Sequence, residues 1–302
     1  MNFRSYIKAL RLPFLAGSLI PVLIGGAYGI LQKRFSMPPF LLCLAGVACL
    51  HLGANLINDY YDARGSDPMN VRLTPFSGGS RVIPEGEVAA PVVLAMSLFF
   101  FALGLACGLW FAFHGRVLVL AIGIAGLFAG WSYSSPPLQL MSKGLGEIII
   151  FIAFGPLITL GTYYALAGEL SFKAFLLGIP QGFLIMGVIW INQFPDYEAD
   201  RMAGKRNLAV RLGLNRARTL YCIIMALSFL SIIILVGAAG FSYLLMIGFI
   251  SLPLGFRAVK ILWKEYESHE RIVPAQALTI QTLVGQGLLI SLGLLLSRFI
   301  AP

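Results

Sequence analysis

The apolar positions of this chain come in long unbroken runs, not at the two-residue period of a half-buried strand. Nine runs of roughly the 20 residues that cross a bilayer predict spans over 13–31, 38–58, 90–113, 116–133, 145–167, 173–192, 218–239, 241–257 and 277–299. Each is expected to be helical, because an open sheet leaves backbone groups unpaired in lipid. Polar residues gather in three long connections, 59–89, 193–217 and 258–276, and the others read as tight turns. The basic stretch Arg4, Lys8 and Arg11 before the first run resembles the start of a signal peptide. The run itself is longer than a signal core and other spans follow, so it predicts a first membrane helix behind a short interfacial segment.

Composition agrees: of 302 residues, 58% are hydrophobic and 12% charged, about half the charged share of a soluble domain. The net charge of +9 needs no nucleic-acid partner, since loop cations set membrane orientation. With the N-terminus inside, 17 of the 22 basic residues fall on the inner face and 5 on the outer, as the positive-inside rule requires. All three long connections are then cytoplasmic, and the 2–3 and 6–7 loops form a cap on the bundle. The expected fold is therefore an all-α integral membrane bundle of nine helices, one domain over 1–302, in the cell (inner) membrane. Cys43, Cys49, Cys107 and Cys222 lie inside apolar runs without a CxxC spacing, which indicates neither disulfides nor a zinc site.

Acidic residues change the picture most. The five aspartates form two clusters, Asp59, Asp62 and Asp67 in NDYYDARGSD, and Asp196 and Asp200 in NQFPDYEAD. Both close a predicted span on the same side. Asn58 precedes Asp62 and Asn192 precedes Asp196 by one helical turn, an offset of 134 residues in each case, a weak sign of two related halves. Asp196 and Asp200, at i and i+4, share a helix face and repel when unpaired. A solvated helix end explains one such cluster but not two related by position and side. Divalent cations explain both, and a hard ion bound by a few carboxylates plus substrate phosphates points to Mg²⁺. Asn58 and Asn192 can add neutral oxygens.

Charge then points to the substrate. Five carboxylates slightly exceed two Mg²⁺ ions, and a diphosphate adds about three further negative charges, so nearby cations are needed. The same loops supply Arg72, Arg81, Lys143, Arg201, Lys205 and Arg206, with arginine suited to bidentate phosphate contact. Ser77-Gly78-Gly79-Ser80 can present backbone N–H groups to phosphate, though a plain turn explains it equally well. A diphosphate site over a helical bundle implies a lipid diphosphate whose tail lies between helices. Bound metal would stabilise the departing diphosphate, and the allylic cation so formed needs an electron-rich partner.

With NDYYD and DYEAD on the second and sixth of nine spans, the chain resembles the UbiA superfamily of intramembrane aromatic prenyltransferases. YSSPPLQLMSKGLGE (133–147), FGPLITLGTYY (154–164) and DRMAGKRNLAVRLG (200–213) look like its 1,4-dihydroxy-2-naphthoate branch, which serves menaquinone biosynthesis; the likeness covers roughly 10–298. It implies a Mg²⁺-dependent transferase acting on a polyprenyl diphosphate and an aromatic acid. Asn58, Asp62, Asn192, Asp196 and Asp200 match the family's metal–diphosphate positions, Asp59 and Asp67 belong to the first motif, and Tyr133 matches a tyrosine near the reacting end of the prenyl chain. Many members of that branch carry basic residues after the paired prolines, where this chain has Gln139 and Met141 and only Lys143 is basic.

Glu147 reads as a helix cap or a cavity residue, and His51, seven residues before Asn58, as an interhelical hydrogen bonder or a cavity residue. Two alternatives stand beside the enzyme for naphthoate: the same chemistry on 4-hydroxybenzoate, homogentisate or a chlorin, and an ion-coupled transporter. Transport favours charges near the midplane, whereas these lie at one face.

Overall fold

A computed structural model describes residues 3–300. Among them are nine helices long and apolar enough to cross a membrane: α1 Phe3–Leu31, α2 Met37–Asp62, α3 Ala90–Phe113, α4 Val117–Ser134, α5 Gly146–Ala167, α6 Phe172–Met202, α7 Leu214–Gly237, α8 Tyr243–Glu265 and α9 Val273–Ile300. No strand occurs among the described residues. The protein is thus an all-helical, multi-pass membrane protein, as the apolar runs predict.

Three departures from the predicted spans matter for the site. First, α1 begins with an amphipathic segment, Phe3–Leu10, that ends where Arg11 takes a left-handed conformation (φ 49°, ψ 45°). Pro13 sits in the short turn that follows, and the membrane helix starts at Ala16. Second, α2 and α6 overrun their hydropathic ends, by one turn to Asp62 and by ten residues to Met202. Both aspartate motifs are therefore helical, so spacings of four residues place side chains on one face. Third, the connection 135–145 is no simple turn. It contains the cis peptide Pro136–Pro137 and a short helical turn, Leu140–Lys143, and it tethers the 6–7 loop where Arg206 N–H donates to Ser142 O (2.9 Å).

The bundle's two sides are packed differently. The main core joins α1, α5, α6, α7, α8 and α9 through Ile24, Tyr163, Leu184, Trp190, Tyr221, Ile224, Leu262 and Ile290, all fully or nearly fully buried. Polar groups tie this side together: Trp190 Nε1 donates to Ala217 O (2.9 Å), and the Tyr221 and Thr279 hydroxyls lie 2.6 Å apart. In α5 the backbone widens over Ala153–Leu157 around Pro156, which has no N–H to give the ladder. Gly155 there faces the Gly178 and Gly182 backbone of α6 so closely that any Cβ would collide. Between α2, α3, α4 and α5, in contrast, an apolar cavity is lined by Gly46, Gly104, Gly108, Gly126, Gly130 and Gly161 with Leu50, Phe111 and Ile122.

Candidate active site

At the shared end of α2 and α6 the connections 63–89 and 203–213 close over the bundle and bond to it. Asn70 Nδ2 donates to Asp196 Oδ1 (2.7 Å), and Lys205 Nζ donates to Asp62 Oδ1 (2.9 Å). Beneath them lies a cavity lined by Asn58, Asp62, Asp67, Asn192, Asp196, Asp200 and Lys205 at its polar end and by Tyr133, Met141, Ile150 and Phe154 deeper in. His51, Ala54, Gly130 and Phe154 line both this cavity and the apolar one between α2 and α5, so the two adjoin along these residues.

The acidic motifs hold one another in place. Asn58 Nδ2 donates to Asp62 Oδ2 (3.0 Å), one turn along the same helix. Asp200 accepts from Asn207 Nδ2 (2.8 Å) and pairs with Lys205 (3.3 Å). Asn207 in turn caps the helix over 208–212 by accepting from Val210 N–H (2.8 Å), the usual role of an asparagine before a helix. Lys205 therefore bridges carboxylates from both motifs. Burial alone would lower its pKa, but Asp62 and Asp200 outweigh burial and hold the ammonium above the ordinary lysine range. Asp67 is pushed up to about 8, first by burial and then by Asp62 and Asp59, with Lys205 acting in the opposite sense. Four carboxylates, Asp62, Asp67, Asp196 and Asp200, line the cavity against the one bridging cation, Lys205.

That surplus suits a divalent ion. Among the described residues no three carboxylate, thiol or imidazole groups converge as a ready cage. Such an arrangement fits Mg²⁺, which keeps waters and takes part of its coordination from substrate phosphates. Asp62, Asp67, Asp196 and Asp200 supply anionic oxygens, and Asn58, whose Nδ2 is committed to Asp62, has its oxygen left to offer. Asn192 is less available, since its Oδ1 accepts from Gln276 Nε2 (2.9 Å).

Not every expected site residue reaches the cavity. Asp59 is buried behind it, accepting from Ser80 N–H (3.3 Å) and lying 3.7 Å from Arg11. The Ser77–Ser80 loop gives Gly78 N–H to Asp196 (3.4 Å) and Ser80 N–H to Asp59, so these donors serve carboxylates, not phosphate. Gly79, at φ 71°, passes between Asp59 and Asp67, and a Cβ there would lie 2.9 Å from Asp67 Oδ2. Of the six expected cations only Lys205 lines the cavity. Arg81 binds Asp67 O and lies 3.8 Å from Glu85, Arg201 pairs with Glu198 at the surface, Lys143 donates to Pro137 O (3.1 Å), and Arg206 is exposed. Arg72, half-buried, bonds through its backbone to Asn70 Oδ1 (3.0 Å).

Arg11 is the cavity cation that sequence reasoning missed. Its guanidinium stacks over Phe14 at 4.6 Å and faces the cavity beside Asp59. The available signal was its place two residues before Pro13, at the mouth of the first span. Glu147 acts as a brace: Oε1 accepts from Gln193 Nε2 (2.8 Å) and weakly from Leu208 N–H (3.4 Å). Tyr133 is a cavity residue, its ring packed close to Gly146.

The sequence model of the UbiA prenyltransferase family matches residues 18–280. The chain belongs to the UbiA prenyltransferase family. Curated relatives include the 1,4-dihydroxy-2-naphthoate octaprenyltransferases of Bacillus subtilis (26% identical, covering 94% of this chain and 90% of the relative) and Mycobacterium tuberculosis (28%, 85% of each). The 2-carboxy-1,4-naphthoquinone phytyltransferase of Synechocystis is 27% identical over 95% of this chain and 92% of its own. Two solved UbiA homologs share the fold. That from Aeropyrum pernix K1 has a TM-score of 0.68 at 19% identity, covering 94% of this chain and 98% of its own. That from Archaeoglobus fulgidus, bound to DMAPP and Mg²⁺, has 0.58 at 18%, covering 95% and 99%. As a UbiA prenyltransferase the protein carries both aspartate motifs within the matched region, and Arg11 lies just before it.

Proposed function

We propose that this prenyltransferase uses Mg²⁺ to transfer a polyprenyl group from its diphosphate to 1,4-dihydroxy-2-naphthoate, at the cytoplasmic face of the cell membrane. The observation that carries the proposal is a carboxylate-lined polar cavity adjoining an apolar one, with His51, Ala54, Gly130 and Phe154 lining both. A diphosphate head seats at Asp62, Asp67, Asp196, Asp200 and Lys205. Its tail runs along α2 from Ala54 towards Leu42, about 18 Å at helical rise. Bound Mg²⁺ would draw charge from the diphosphate as its bond to the prenyl carbon breaks. Lys205, already protonated between Asp62 and Asp200, is placed to take up the same developing charge. Below the carboxylates, Tyr133, Phe154 and Ile150 wall the space where the allylic cation meets its acceptor, and their apolar faces exclude competing water.

Two features support a naphthoate acceptor. Met141 lies beside Asn58, its sulfur 3.6 Å from Nδ2, and presents an apolar surface that a second aromatic ring can cover. Arg11 supplies the cation that the acceptor's carboxylate requires, which Lys143, turned outward, does not. The curated relatives that act on naphthoate or naphthoquinone acids point the same way. The 17 to 5 division of basic residues supports the cytoplasmic orientation. Purified protein given Mg²⁺, a labelled prenyl diphosphate and a choice of 1,4-dihydroxy-2-naphthoate, 4-hydroxybenzoate and homogentisate should prenylate the naphthoate with loss of CO₂. Exclusive prenylation of a single-ring acid would reject the naphthoate while leaving the transferase class intact.

A further inference from the structure

The carboxylates account for the diphosphate but leave open which group handles the acceptor's proton. His51 stands on α2 where the polar and apolar cavities meet, lining both, and is itself buried. Its Nδ1 lies 2.8 Å from Ser18 Oγ, and the ring packs edge-on against Phe154 with centroids 5.1 Å apart. Ser18 has a single hydroxyl proton, which it donates to Leu15 O (3.1 Å). With that proton directed to Leu15 O, the serine oxygen accepts from the histidine, which assigns the proton to Nδ1 and leaves the lone pair on Nε2. Nε2 has no hydrogen-bond partner among the described residues. A histidine whose one nitrogen is fixed by a hydrogen bond presents the other in a defined state. A structural histidine joining α1 to α2 needs only the Ser18 contact; it does not need a wall position shared by the two cavities.

We propose that His51 is the general base of prenyl transfer, with Ser18 as the residue that sets its tautomer; this rests on the aromatic-acceptor reading above. Nε2 takes the proton of an acceptor hydroxyl. The oxygen's electron pair moves into the ring, a ring carbon bonds to the first prenyl carbon, and the carbon–oxygen bond to diphosphate breaks with its pair leaving on diphosphate. The group displaced from that ring carbon leaves its bonding electrons behind and restores aromaticity. If CO₂ departs, the imidazolium returns its proton to the acceptor oxygen; if a ring proton departs, the hydroxyl is likewise restored and that proton passes to solvent. The charged groups near the imidazole are Arg11, close enough to act on it electrostatically, and beyond it Asp59. Neither competes for Nε2.

The test compares wild type, His51→Gln and Ser18→Ala in detergent with Mg²⁺, a labelled prenyl diphosphate, and either 1,4-dihydroxy-2-naphthoate or ring-fluorinated analogues whose hydroxyl is already ionised at assay pH. Loss of a general base costs about 10²–10⁴-fold, so His51→Gln should lose that much turnover on the parent acceptor and recover most of it on the ionised analogue at saturating donor. Ser18→Ala should show a smaller loss with the same dependence on the acceptor. Equal losses on both acceptors, or near wild-type turnover by His51→Gln, would overturn the assignment. If His51→Gln does not insert, the Ser18→Ala comparison decides, and a loss independent of the acceptor counts against the base. Wild-type protein that consumes donor yet prenylates none of these aromatics would instead overturn the acceptor reading, and this proposal with it.

Discussion

Lys205 Nζ donates to Asp62 Oδ1 at 2.9 Å, joining residues 143 positions apart and fastening the 6–7 loop to the end of α2. The same ammonium lies 3.3 Å from Asp200. It is thus the resident counter-ion of both acidic motifs, and a bound divalent ion must share those carboxylates with it. Lys205→Met should therefore tighten Mg²⁺ binding while raising the KM for prenyl diphosphate, because the competitor for metal and the partner for phosphate are one group. Mg²⁺ titration calorimetry and donor-dependence kinetics check the two halves separately.

Removing a carboxylate tests the cluster from the other side. Asp62→Asn and Asp196→Asn preserve size and the hydrogen bonds with Asn58, or with Asn70 and Gly78, in part, yet each deletes an anionic ligand. Both variants should insert and purify normally and lose at least about 10²-fold in turnover, the scale of losing one strong electrostatic contact to the transition state. Donor turnover at limiting Mg²⁺ is the measurement.

Asp67 gives a pH signature. Its ordinary value is near 3.8, and burial with Asp62 and Asp59 raises it to about 8 in the folded protein. Between those values the folded state holds a proton that the unfolded chain has released, so stability falls as pH rises through that window. The melting temperature of metal-free protein should decline from about pH 4 towards pH 8. Asp67→Asn should flatten that decline, as should saturating Mg²⁺; thermal scans across pH with and without chelator read both.

Much of the site was legible in the sequence because its chemistry sits in two compact motifs at span ends. Nine apolar runs placed the helices, and the confinement of every aspartate to NDYYDARGSD and NQFPDYEAD placed the polar end of the cavity. Hydropathy could not show how far α6 extends, since the helix continues through polar Gln193–Met202 on tertiary contacts such as Glu147 with Gln193. Nor could it tell which basic residues turn inward. Arg72, Arg81, Arg201 and Arg206 look like phosphate ligands by proximity in sequence, but backbone and carboxylate partners or solvent hold them elsewhere. Arg11 looks like a topology cation, yet the left-handed turn at its own position directs it to the cavity. The Gly78–Gly79 pair reads as a phosphate loop, and only the fold reveals that it threads between carboxylates.

Membrane orientation has its own test. In a background lacking Cys43, Cys49, Cys107 and Cys222, single cysteines at Arg64 and Met202, both exposed at the capped end, should react only with membrane-permeant thiol reagents in intact cells. One at Ser36, exposed at the opposite end, should be blocked by impermeant reagents. The reverse pattern would put the acidic cavity outside the cell.

The most direct measurement of the central claim is diphosphate release in detergent, with no membrane and no gradient. Wild-type protein supplied with prenyl diphosphate and 1,4-dihydroxy-2-naphthoate should release one diphosphate per prenylated product, strictly with added Mg²⁺, and Asp196→Asn should release none above background. Mg²⁺-independent release, or donor left intact while the protein moves ions once reconstituted in vesicles, would contradict the account of these carboxylates as a metal–diphosphate site.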